Sequence, residues 1–157
     1  MTREEIRSCG LADKETYSFD DFRKIVEVLR DPDGGCPWDK AQTHDTLRDD
    51  FQNEVNEVFE GIDRLNATGD GENLCEELGD VLLHILMQAR IAEQEGLFSI
   101  DDVIQAEAEK MVRRHPHIFA DGKADSAEEV LLTWEEVKRR EREEKARKKA
   151  EKAKNMG

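Results

Sequence analysis

Four carboxylates stand in the sequence at spacings that suit metal chemistry. Glu54 and Glu57 are three residues apart, and Glu77 and Asp80 repeat that interval further along the chain. On a helix, residues three apart share a face. At about 100° per residue, Glu54 and Glu57 fall just outside the stripe formed by Leu47, Phe51 and Val58, and Glu77 borders the stripe of Leu78, Val81 and Ile85. Either pair alone would suit a solvated helix face. Two pairs, each at the edge of an apolar stripe, can converge on one point if their helices pack antiparallel. Four acids held that close raise one another's pKa, and a hard divalent cation with oxygen ligands relieves the repulsion; Mg²⁺ or Mn²⁺ fits such a set. A di-iron centre would instead need Glu-x-x-His on two helices. His84 lies four residues after Asp80, and no second such histidine exists, so His84 is expected to pack or to support the site from behind.

The elements that must position these acids are amphipathic helices. Ser18 or Asp20 can cap a helix carrying Phe19, Phe22, Ile25, Val26 and Leu29. The segment Asp31-Pro-Asp-Gly-Gly-Cys-Pro-Trp-Asp breaks it. A second helix is predicted from Thr43 or Asp45 to Leu65, on the stripe Leu47, Phe51, Val55, Val58, Ile62 and Leu65. A third, after the turn at 66–71, carries Leu74, Leu78, Val81, Leu82, Ile85, Ala89 and Ala92 and closes at Gly96. Ser99 or Asp101 opens a fourth that His115-Pro116 stops, and Ser126 with Glu129 forms a capping box for a last helix bearing Val130, Leu131, Trp134 and Val137. The expected architecture is an all-α amphipathic bundle over residues 18–140. Residues 1–17 are expected as a loose arm, and 141–157 as a charged tail that is a helical extension or disordered.

Composition narrows the function classes. At 157 residues the chain can bury a core, and with 37% hydrophobic and 39% charged residues that core must come from helices with thick charged faces. A net charge of −14, from 38 acidic and 24 basic residues, repels a nucleic acid polymer at long range. A small anionic substrate remains compatible, because a bound cation and a few Lys or Arg reverse the potential locally. Cys9, Cys36 and Cys75 make neither a disulfide framework nor a zinc spacing, and no stretch approaches the roughly 20 apolar residues of a membrane helix. The expected compartment is the cytoplasm.

The run from Leu29 to His44, with Asp31-Pro-Asp-Gly-Gly-Cys-Pro-Trp-Asp-Lys-Ala-Gln-Thr-His inside it, resembles the opening motif of the MazG nucleotide pyrophosphohydrolases. Glu54-Val-Asn-Glu57 and Glu76-Glu77-Leu78-Gly79-Asp80 are similar to that family's metal motifs. Arg113-Arg114-His115-Pro116-His117-Ile118-Phe119 and Trp134-Glu135-Glu136-Val137-Lys138 resemble its later signatures. The resemblance runs in order over residues 19–140. It implies an all-α fold, usually dimeric, and Mg²⁺-dependent hydrolysis of a nucleoside triphosphate to monophosphate and pyrophosphate. Glu54, Glu57, Glu77 and Asp80 match the family's metal ligands and are the expected catalytic set. One departure is Asn53, where the family usually has the first glutamate of Glu-Glu-x-x-Glu; it keeps an amide oxygen and loses a charge.

For substrate binding, Lys110, Arg113 and Arg114 lie together at the end of the fourth predicted helix and suit phosphates. The resemblance points to Trp134 for nucleobase contact and to Trp38 with Lys40 for the pocket entrance. His115 and His117 are expected to stabilise the turn. The resemblance implies a homodimer, and the narrow apolar stripes agree, because short amphipathic helices often need a partner chain to bury them fully. The competing reading is a catalytically silent bundle that binds nucleotides or a partner protein.

Overall fold

The computed structural model describes residues 1–155, and every regular element among them is helical. The chain divides into two compact units, Met1–Ile100 and Asp101–Gly157.

The first unit holds α1 (Arg3–Arg7), α2 (Phe19–Leu29), α3 (Pro37–Ala41), α4 (Arg48–Thr68) and α5 (Glu72–Gln94). α2 starts where its capping box dictates: Ser18 Oγ accepts from Asp21 N–H, and the Asp21 carboxylate accepts from Ser18 N–H. α1 has the same device in Thr2 and Glu5. That helix lies in the segment expected as a loose arm, and its five residues are too few to show a hydrophobic period. α4 ends at Gly69, whose φ of 75° is the left-handed conformation that releases a helix. α5 then returns beside α4. The two run antiparallel, since Gly61 faces Leu74, Phe51 stacks on His84, and Gln88 bonds to His44 just before α4. Gly61 allows the closest approach: a Cβ there would stand 3.0 Å from Leu74 Cα.

The core lies between α2 and α5. Val26, Leu47, Leu86, Met87 and Ile91 are buried together, with Phe22, Leu82, Leu83 and Ile100 packed around them. The α2–α3 connection is fixed by a buried guanidinium. Arg30 donates to the carbonyls of Asp39 (2.5 Å) and Gln42 (3.0 Å) and to Gln94 Oε1 (2.9 Å), while Gln94 donates back to the Arg30 carbonyl. Inside this loop Gly35 N–H bonds to Asp31 O and Cys36 N–H to Leu29 O. The fold is so tight there that a Cβ on Gly35 would lie 2.5 Å from the Leu29 carbonyl oxygen and 2.6 Å from that of Asp31.

The second unit holds most of α6 (Ile100–Arg114), then α7 (Pro116–Phe119) and α8 (Ala127–Asn155). α7 is a single turn begun by Pro116, a favoured first helical residue. α8 continues well past Lys138, so the charged tail is helical through Asn155. Pairs one turn apart support it, among them Arg139–Glu143 and Lys148–Glu144.

Candidate acidic metal site

The hairpin of α4 and α5 brings Glu54, Glu57 and Glu77 together. One carboxylate oxygen from each lies within 4.8 Å of the others. Glu57 is exposed, Glu54 half-buried, and Glu77 only 8% exposed. Asp80 is half-buried one turn further along α5 and is not part of this close group.

Glu77 bears the electrostatic load. Its carboxyl is pushed above the usual carboxylate range, first by burial and then by the Glu57 charge. Asn73, one turn earlier on α5, opposes this by donating from Nδ2 to Glu77 Oε1 at 2.8 Å. Asn73 did not stand out in the sequence, although its place four residues before Glu77 was a usable signal. Three crowded acids, one of them buried, form an all-oxygen donor set that a hard divalent cation would stabilise. The residues fit such an ion. His84 packs with its ring stacked flat on Phe51, centroids 5.3 Å apart.

Trp38 and Lys40 sit on α3, in the loop that Arg30 secures. Trp38 is 57% exposed, and Lys40 Nζ donates to the Pro32 carbonyl at 3.1 Å. The other candidate substrate residues belong to the second unit. Lys110 pairs with Glu107. Arg113 and Arg114, at the end of α6, both pair with Glu141 of α8. Trp134 is half-buried and meets His115 edge-on at 4.9 Å, and His115 Nδ1 donates to the Met111 carbonyl. That contact agrees with a turn-stabilising role for His115. Within this unit Arg114 Nε, Trp134 Nε1 and His117 Nδ1 are buried without a hydrogen-bond partner. Arg114 Nε and Trp134 Nε1 can only donate, so an anionic or carbonyl oxygen is their natural complement. Glu141 was not singled out in the sequence, where nothing links it to arginines a helix and a turn away.

The sequence profile of the MazG nucleotide pyrophosphohydrolase domain matches residues 42–119. The chain is 48% identical over 126 residues to the uncharacterized protein YabN of Bacillus subtilis (strain 168), covering 80% of this chain and 25% of that protein. It is 43% identical over 122 residues to the nucleoside triphosphate pyrophosphohydrolase of Escherichia coli (strain K12), covering 78% of this chain and 45% of that one. This chain therefore spans from a quarter to about half the length of these curated relatives. A crystal structure of a mazG-related protein from Thermotoga maritima superposes with a TM-score of 0.61 at 31% identity, over 76% of this chain and 98% of that one. On fold, motif order and sequence identity together, the chain belongs to the MazG nucleotide pyrophosphohydrolase family.

Proposed function

We propose that this protein hydrolyses nucleoside triphosphates to the monophosphate and pyrophosphate with Mg²⁺, and that Mn²⁺ can substitute. The observation that carries this reading is the trio of carboxylate oxygens within 4.8 Å, one of them on a buried glutamate whose proton affinity is raised. In a member of this family, such a site is well suited to phosphoanhydride chemistry. That chemistry needs charge on phosphate oxygens neutralised and a water aligned behind phosphorus.

Glu54, Glu57 and Glu77 hold the cation, with Asp80 as the fourth acid at the edge of the set. When bound, the cation supplies charge neutralisation and a more acidic water. Glu54 or Glu57, the more accessible of the three, accepts the proton of the attacking water. Arg113 and Arg114, with Lys110, receive phosphate oxygens. Trp134 contacts the base, and Trp38 with Lys40 lines the entrance.

The assembly we propose is a homodimer. Phe59 and Ile62 on α4 and Leu78 and Ile85 on α5 are exposed, and their helical positions place all four on the side of the hairpin away from Glu57. A second hairpin covering that side would complete a four-helix arrangement. No helix among the described residues is long and apolar enough to cross a membrane, and we assign the enzyme to the cytoplasm.

Asn53 favours the alternative of a silent nucleotide- or protein-binding bundle. The purified chain is incubated with each common nucleoside triphosphate and Mg²⁺ while ³¹P NMR follows the products. Monophosphate and pyrophosphate in equal amounts support the hydrolase. Absence of turnover on all of them sinks it in favour of the silent bundle.

A further inference from the structure

α8 meets the end of α6 at two points on one of its faces. Trp134 rests edge-on against His115, and Glu141, seven residues later and so on the same side of the helix, reaches Arg113 and Arg114. Arg113 donates through Nε to Glu141 Oε1 at 2.8 Å, and its Nη2 lies 2.7 Å from the same oxygen as an ion pair. Arg114 donates through Nη2 to Oε2 at 2.7 Å. Each carboxylate oxygen thus serves one guanidinium. The Glu141 side chain is only 16% exposed, so these charge-assisted bonds are partly shielded from water.

Adjacent arginines repel each other, and each long side chain loses rotamer freedom when it is fixed. One carboxylate between them offsets both costs and leaves the trio with a net positive charge. A guanidinium has five N–H donors. Glu141 engages Nε and Nη2 of Arg113 and Nη2 of Arg114, and the Nη1 group of each arginine takes no part in these contacts. The two arginines hold the carboxyl down to about 2, so it stays ionised near neutral pH.

We infer that Glu141 is a positioning residue, holding Arg113 and Arg114 as a fixed pair that receives neighbouring phosphate oxygens of the triphosphate. This rests on the reading above that those arginines bind the substrate's phosphates. Glu141 itself touches neither substrate nor metal.

The test is steady-state kinetics of the full chain with a nucleoside triphosphate and Mg²⁺, comparing E141A, E141Q and E141D with R113A and R114A. Loss of a fixed charge-assisted clamp is expected to raise KM about tenfold in E141A while kcat changes by less than about twofold. E141D, which keeps the charge, recovers most of that loss, and E141Q does not. A purely structural role would lower kcat and the amount of folded protein together and would show no recovery with Asp. If E141A misfolds, the Asp and Gln variants still decide: equal KM values in those two overturn the inference. So does a fall in KM in E141A, which would make Glu141 a competitor of the phosphates. If R113A and R114A leave KM unchanged, the phosphate-binding reading fails; if they raise it while E141A does not, only the role of Glu141 fails.

Discussion

Glu77 carries opposing demands on one side chain. It is buried beside another acid, which disfavours its charge, yet it is the carboxylate a cation would stabilise most. E77Q keeps the shape and an oxygen for Asn73 while removing the charge. Turnover should fall by at least about a hundredfold, as expected for damage to a metal site, while the melting temperature without added metal rises. A variant losing activity and stability together would argue against a metal role. Asp21 gives a second prediction. Its carboxyl is lowered from 3.8 to about 2, first by the Lys14 ammonium and then by Ser18 N–H. A carboxyl depressed in the folded state contributes stability above its unfolded pKa and loses it as pH falls through the folded one. The melting-temperature gap between wild type and D21N should be full near neutral pH and close between about pH 4 and pH 2; a gap constant with pH would refute the assignment. Sequence showed three acids of the close cluster because spacing and stripe edges are local properties. It did not show Glu141, whose partners lie on another helix.

Among the elements, α2, α4 and α5 were legible because each combines a long apolar stripe with a stop or start signal, such as Ser18, Gly69 and Gly96. The predicted second helix was to begin at Thr43 or Asp45, whereas α4 begins at Arg48. Thr43 and Thr46 instead bond to each other across a turn, a local competition that side-chain hydroxyls often win. The single-turn α7 has no period to read. Its Pro116 stops α6 and starts the next turn at once. The α4–α5 pairing itself depends on Gly61. Alanine would normally favour a helix by about 1 kcal/mol over glycine. Here its Cβ meets Leu74 backbone atoms at 3.0 and 3.3 Å, and backbone cannot rotate aside. G61A should therefore destabilise the protein by about 1–3 kcal/mol in urea unfolding, as overpacking does. A stabilised variant would show that the two helices part easily.

For the whole molecule, charge and apolar surface act on different partners. The net charge of −14 repels polyanions at long range, and under the proposed function a small triphosphate would be drawn in by local cations. Phe59 at 58% and Leu78 at 51% exposure would be an unusual pair to leave in water on neighbouring helices. Light scattering is expected to give twice the 18.0 kDa chain mass, and F59E combined with L78E to give the single mass. A wild-type monomer would remove the dimer from the proposal.

The closed backbone around Gly35 has a consequence for how variation in this protein is interpreted. The three nearest atoms that a new Cβ would strike there all belong to the main chain of Leu29 or Asp31, so no rotamer change by a neighbour relieves them. In an exhaustive substitution library scored by growth or turnover, this loop position would look as intolerant as a metal ligand. Such a profile would record steric exclusion, and assigning it a chemical role would mistake the scaffold for the machinery.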